Sequence, residues 1–257
     1  MSNQLVLYEV VDNIAILTLN HPEKRNALSE ALLLEMKARL EEAKQDRDVR
    51  VVIIQANGKV YSSGHDLREL MDRDKESYAR VFAICTEVME AIRLLPKPVI
   101  AQVQGLATAA GCQLVATCDL AVASEDATFA TPGVNIGLFC TTPGVALARA
   151  VPTKKAMEML LTGTPISAEE AVAWGLINKV VPPAQLERET TELARKIAAS
   201  SPYTISLGKE AFYQQVELDR PAAYQLAQRV MVENLLSHDA QEGIDSFLSK
   251  RRPRWKS

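Results

Sequence analysis

"KPVIAQVQGLATAAGCQLVATCDLAVAS", Lys97 to Ser124, is the stretch on which the fold turns. Its first part is apolar and rich in valine and isoleucine, and it reads as a buried strand. The chain then turns at Gly105 into a run of small residues ending at Gly111. Such a run suits a helix start that lets backbone N–H groups approach a ligand closely. A further strand follows in "CDLAVAS". A strand, a short helix and a strand in succession point to parallel pairing through crossovers.

The same alternation extends outward. "LVLYEV-VDN-IAILTLN" is two β-rich runs around Asp12-Asn13, a hairpin signal. Ser29 is placed to cap a helix to about Gln45, with Leu32, Met36, Leu40 and Ala43 as its apolar stripe. "VRVVIIQANG" is a buried strand. A helical stretch from about Lys75 puts Phe82, Cys85, Met89 and Ile92 at helical spacing. "CDLAVASEDATFATP" contains two short strands around Glu125-Asp126. Ser167 and Glu170 form a capping box, Gly175 is a stop, and "INKVV" is a strand. After Pro183 the strands cease, and helices are predicted to start at Ala184, Ser201-Pro202, Asp219 and Asp239, the last with Glu242 as a second capping box. On pattern alone a doubly wound sheet is the expectation, although paired short strands and a late helical block fit it poorly.

Composition narrows the functional classes. The 257 residues are 47% hydrophobic and 24% charged, with a net charge of −3. That balance suits a globular core and argues against a nucleic-acid surface. No apolar run approaches a membrane span. Cys85, Cys112, Cys118 and Cys140 show no metal spacing, and His21, His65 and His238 are scattered. No GxGxxG, P-loop or GxSxG motif is present. Two glycine-containing stretches remain, "YSSGHDL" (Tyr61–Leu67) and "GLATAAGCQ" (Gly105–Gln113), each following a buried strand. Two backbone amides aimed at one point would make an oxyanion hole.

Five segments, "HPEKRNALS", "YSSGHDL", "PVIAQVQGLATAAGCQL", "CDLAVAS" and "GVNIGLFCTTPG", occur in order at sensible separations. Together they give the chain a full-length resemblance to the crotonase superfamily, the enoyl-CoA hydratase/isomerase family. The resemblance implies an α/β fold of the ClpP/crotonase type. Residues 1–196 would form a spiral of ββα units with an acyl-CoA site. Residues 197–257 would form a C-terminal helical region that assembles a homotrimer or a dimer of trimers. It implies an acyl-CoA thioester ligand of fatty-acid metabolism, with no cofactor beyond coenzyme A itself, and lyase-class chemistry. The thioester carbonyl would be held by the N–H groups of His65 and Ala110, with Gly111 allowing close approach. Coenzyme A contacts would come from Arg25, Ala27, Leu28, Ser63, His65, Asp66, Leu67 and Arg68. Phe247 and Lys250 would reach a neighbouring subunit's ligand, and the basic tail "KRRPRWK" would face its phosphates. The family subgroup it most resembles is named for mitochondrial members. The N-terminus is not Arg-rich like a transit peptide, so a cytoplasmic location is the expectation.

The chain departs from the family pattern where proton transfer is done. Family hydratases use two glutamates. The matching positions here are Gln113 and Gly133, and the acid of a dienoyl-isomerase pattern would fall at Thr141. Residues 91 to 118 and 127 to 157 contain no Asp or Glu. A glutamine does not exchange protons near neutral pH, and each general acid or base is worth about 10²–10⁴ in rate. The substitutes in view are Gln113 and Asn135 holding a water, a helix-activated Cys112 thiolate, Cys140, and the His65 imidazole. Asp66 and Asp119, the nearest acids, suit loop and helix fixing better than chemistry. Two functions stay open: an enzyme acting on acyl-CoA through the oxyanion hole, and a non-catalytic acyl-CoA binder or regulatory protein. On this reading, restoring glutamate at 113 and 133 should raise hydratase activity.

Overall fold

Asp12 and Asn13 both adopt positive φ, 51° and 66°, and so close a tight hairpin between β1 (Val6–Val11) and β2 (Ile14–Leu19). The computed structural model describes residues 4–256; Met1–Asn3 and Ser257, the extreme ends of the two expected regions, lie outside it. After the hairpin, Ser29 accepts the Leu32 N–H and starts α1 (Glu30–Gln45), which buries Leu32, Leu33, Met36, Leu40 and Ala43. The chain continues through β3 (Val51–Ala56), β4 (Val60–Ser62) and α2 (Lys75–Leu94). Next come β5 (Val99–Val103), β6 (Leu106–Thr108) and α3 (Ala110–Thr117). Then follow β7 (Leu120–Ser124), β8 (Thr128–Ala130) and α4 (Thr141–Ala150).

These three ββα units explain why the doubly wound expectation fails. The first strand of each joins a six-stranded sheet of order β1-β2-β3-β5-β7-β10, and the second joins a four-stranded sheet of order β4-β6-β8-β9. The chain therefore spirals, giving one strand to each sheet before α2, α3 and α4. The paired strands around Glu125-Asp126 are not a hairpin: β7 pairs with β5, and β8 with β6. α5 (Thr153–Thr162), β9 (Ile166–Ser167), α6 (Ala168–Trp174) and β10 (Lys179–Val181) complete both sheets. The Ser167–Glu170 capping box forms as read.

α7 (Leu186–Ala198) lays Leu186, Ala194 and Ala198 on the outer face of the large sheet, against Ile14, Val51, Ile53, Ile100 and Val122. The inner face packs on α1, α2 and α3 through Leu17, Val52, Ile54, Val99 and Ala101. A sheet buried on both faces has strands that read as unbroken apolar runs, as β3 and β5 do. Residue 196 falls inside α7.

α8 (Pro202–Gln215) and α9 (Arg220–Leu236) start at Ser201 and Asp219 caps, as predicted. α10 (His238–Leu248) does not start at Asp239. Ser237 is its cap, because the Asp239 carboxylate is taken by the Ser201 hydroxyl at 2.6 Å and by the Lys256 N–H. Glu242 is likewise taken by Arg251 and the Arg254 N–H. α8 is fastened to the end of α3 through Asp119, which accepts bonds from Lys209 Nζ (2.7 Å), Tyr213 Oη (2.8 Å) and Val99 N.

Candidate functional site

The two glycine-containing stretches meet. Ser62 Oγ donates to the Asn26 carbonyl and accepts from Gly64 N. Ser63 N donates to Arg25 O, and Leu28 N to Gly64 O at 2.7 Å. The segments 25–28 and 62–65 are thus laced together. Asn26 organises this clasp: it is fully buried, with φ 49°, and its amide donates to the Asn57 and Val60 carbonyls while its Oδ1 accepts from His21 N. Its place in "HPEKRNALS" was visible, but the long-range partners that give it its role were not.

The clasp seats against the start of α3. Gly64 has φ 84°, and a Cβ there would lie 2.8 Å from Ala109 Cβ and 3.2 Å from Ala110 N. Gly111 is pressed on Ser62, where a Cβ would come within 2.5 Å of a carbonyl oxygen. Only residues without a side chain allow this approach. Ala109, just before the helix, has φ 52° and ψ −119°, a conformation an L-residue adopts at a cost of about 1–3 kcal/mol. Ala110 is the first residue of α3, so its amide has no intrahelical acceptor, and the His65 amide likewise donates to nothing within the described chain. Two free donors on adjoining segments, one at the positive end of a helix, suit a carbonyl oxygen that gains negative charge.

Buried side-chain atoms without partners lie on these segments, His65 Nε2, Thr108 Oγ1 and Gln113 Oε1, and at Thr131 Oγ1, just after β8, the strand that pairs with β6. Each orphan costs about 1–3 kcal/mol unless something else meets it. Nothing in the sequence around Thr108 and Thr131 marks them as site residues. His65 Nδ1 lies 3.2 Å from the Leu28 carbonyl, and the ring stands edge-on to Phe82. Burial lowers its pKa, so the neutral form with Nδ1 donating prevails, and Nε2 keeps its lone pair. Phe82, assigned to the apolar stripe of α2, is instead 38% exposed and serves as the wall of this ring.

The remaining expected residues divide. Arg25, Leu67 and Arg68 are exposed beside the clasp, and Ser63 and Asp66 are half-buried. Asp66 caps a short turn by accepting from Arg68 N and pairs with Lys24. Ala27 and Leu28 are buried, so they offer backbone rather than side chain. Phe247 and Lys250 are not brought here by the chain itself; both are exposed on or just after α10, which packs on α8 and α9. In the basic tail Arg251 is spent on Glu242 and Asp245, and Trp255 Nε1 donates to Ala199 O.

The two positions that lack acids prove different in kind. Gln113 lies one turn after Ala110 on α3 and is 6% exposed, with its carbonyl oxygen unmatched. An acid would fit its place. Gly133 is sealed: a Cβ there would stand 2.2 Å from Leu138 O and 2.7 Å from Cys140 Sγ. The turn is closed by Leu138 N donating to Gly133 O. Restoring glutamate at both positions is therefore not a simple repair, and that expectation is withdrawn. The thiolate idea fails as well. Burial pushes the Cys112 thiol up to about 12 and raises Cys140 too, which outweighs the helix terminus. Carboxylates from outside the acid-free segments share a groove with Gln113. Glu90, Asp119 and Glu217 line the same groove, each bonded to a cation: Arg93, Lys209 and Arg149 respectively. Among the described residues no group of three or more His, Cys, Asp or Glu could hold a metal ion, and no helix is long and apolar enough to cross a membrane.

Comparison with known proteins places the chain. The family model for enoyl-CoA hydratase/isomerase matches residues 9–257. The human protein named enoyl-CoA hydratase domain-containing protein 3, mitochondrial, is 55% identical over 246 residues, covering 95% of this chain and 81% of that one. Its crystal structure superposes with a TM-score of 0.96 at 53% identity, over 98% of this chain and 100% of that one. An enoyl-CoA hydratase structure from Mycobacterium smegmatis also reaches 0.96, at 47% identity, over 99% of this chain and 100% of that one. The spiral of ββα units is thus a crotonase-like fold. The cytoplasmic expectation does not stand against these relatives, since the human and mouse proteins are named as mitochondrial. By sequence and by fold the chain belongs to the enoyl-CoA hydratase/isomerase family.

Proposed function

We propose that this chain binds acyl-CoA thioesters and polarises the thioester carbonyl with the His65 and Ala110 amides, without hydrating a double bond by the two-carboxylate route. The observation that carries the reading is the pairing of free donors with missing acids. Two unpartnered amides adjoin at the start of α3, while Gln113 stands at one acid position and the other is sealed at Gly133. Oxyanion donors are worth roughly 10²–10³ each, so a polarising site survives the loss of proton transfer.

The exposed Arg25 and Arg68 beside the clasp suit the coenzyme A phosphates. Exposed apolar residues on α9 and α10, among them Met231, Leu236, Phe247 and Leu248, suit contact between copies in a homotrimer or dimer of trimers. That assembly would carry Phe247 and Lys250 to a neighbour's ligand. A non-catalytic binder is the second reading, favoured by the raised thiols and the sealed glycine, which leave no ready thiolate and no carboxylate at the second acid position.

Titration calorimetry with coenzyme A and acetyl-CoA, run beside assays for crotonyl-CoA double-bond loss and for thiol release, tests both. The first reading expects binding with no hydration, and slow thiol release would favour the enzyme over the binder. Absence of binding, or hydration at ordinary family rates, would refute the proposal.

A further inference from the structure

Ser62 ends β4 and is fully buried. The pairing of β4 with β6 slips just before it: Val60 faces Leu106 and Ser62 faces Ala107, so two steps on one strand meet one step on the other. Such an irregularity re-aims the side chain beyond it. The Ser62 hydroxyl reaches segment 25–28, where it donates to Asn26 O at 2.9 Å, and it accepts from Gly64 N at 3.3 Å. A hydroxyl can do both at once. Ser62 also carries Gly111, where an added Cβ would lie 2.5 Å from Ser62 O and 2.9 Å from Ser62 Oγ. The residue therefore bonds to the position before His65 and bears on the position after Ala110.

Peptide planarity turns these contacts into directions for the two free amides. In a trans peptide the C=O and the N–H point opposite ways. The Gly64 carbonyl accepts Leu28 N at 2.7 Å, which sends the His65 N–H of the same peptide away from segment 25–28. The Ala109 carbonyl accepts Gln113 N at 3.0 Å, which sets the Ala110 N–H in the same manner. The peptide before Gly64 is pinned by Ser62 Oγ, so both planes flanking the Gly64 Cα are held, at a φ of 84°. A glycine has little preference of its own, so these pins decide its angle.

We infer that Ser62 is a positioning residue for the carbonyl site: its hydroxyl sets the aim and separation of the His65 and Ala110 amides while itself touching no ligand. The inference rests on the reading that those amides hold a thioester carbonyl. Removing the hydroxyl frees the peptide before Gly64 and takes the donor from the Asn26 carbonyl. The His65 amide then loses its aim, while the Ala110 amide, held by the first turn of α3, keeps its own.

Infrared spectra of crotonyl-CoA with a ¹³C thioester carbonyl, bound to the full chain and to its Ser62→Ala variant, test this. The wild type is expected to lower the carbonyl frequency, and Ser62→Ala to keep about half of that shift or less, as follows when one of two donors is misaligned. Coenzyme A, which lacks the thioester, should bind both proteins within about twofold by calorimetry. A full shift in Ser62→Ala, whatever its melting temperature, would make Ser62 structural only and overturn the inference. Loss of coenzyme A affinity in step with the shift would assign the effect to collapse of the whole clasp and overturn it as well. If Ser62→Ala does not fold, Ser62→Cys is read in its place, being close in size with a weaker donor and acceptor. A reduced shift there supports the role, and an unreduced one overturns it. No shift in the wild type would instead remove the underlying carbonyl reading, and this inference with it.

Discussion

At Gly133 a missing side chain is a packing fact before it is a catalytic one. The Leu138 carbonyl and the Cys140 thiol occupy the space into which a side chain would grow. Gly133→Glu is expected to cost about 3 kcal/mol or more by overpacking, measured by urea denaturation, and to yield no hydratase activity even together with Gln113→Glu. Activity recovered at family rates in that double variant would mean the turn reopens readily. Gln113→Glu alone should fold, because the two side chains are nearly the same size and no hydrogen bond of the Gln113 Oε1 is lost. His65 supplies a pH dependence. Burial lowers its folded pKa below the unfolded value near 6.5, so the unfolded chain binds the proton more readily. Stability should be full above about pH 6.5 and fall as the pH drops through that value toward the folded pKa. Thermal melts of the wild type and His65→Gln between pH 7.5 and 5 check this. The wild type should lose more, and parallel losses would assign the pH dependence to other groups.

At the scale of elements, what is local was legible and what is long-range was not. The Asp12-Asn13 hairpin, the Ser29 cap and the Ser167–Glu170 box depend on neighbours a few residues apart, and each forms as read. Asp239 and Glu242 match the same capping pattern, yet partners from Ser201 and from the tail outbid the helix start. Sheet membership is also non-local: β7 and β8 are three residues apart and belong to different sheets. The strained turn before α3 is an element-scale device whose cost is measurable. Ala109→Gly relieves about 1–3 kcal/mol of strain against about 0.4–1 kcal/mol of added unfolded-state entropy. The variant should therefore be more stable by about 1 kcal/mol in denaturant melts, and a destabilised variant would mean Ala109 Cβ contributes more through its contact with Gly64 than it costs. The Asp119 network is the other device. Lys209 and Asp119 are largely buried, so Lys209→Met leaves an uncompensated carboxylate and is expected to cost about 3–5 kcal/mol by the same measurement. A loss under about 1 kcal/mol would show that water readily replaces the ammonium.

At the scale of the whole molecule, the spiral brings segments 25–28, 62–65 and 108–113 to one place, and no periodicity in the sequence announces that meeting. Family resemblance supplied the residues; the structure supplied the reason they meet, in the Asn26 clasp and in the glycines that let backbone touch backbone. In the proposed function a carbonyl-polarising site persists without the acids that hydration needs. The most direct test is an isotope-edited infrared difference spectrum of crotonyl-CoA carrying a ¹³C thioester carbonyl, recorded with the protein in excess. A carbonyl band shifted to lower frequency on binding is expected, with the double-bond absorbance unchanged over hours. An unshifted band, or steady conversion to the hydrated product, would contradict it.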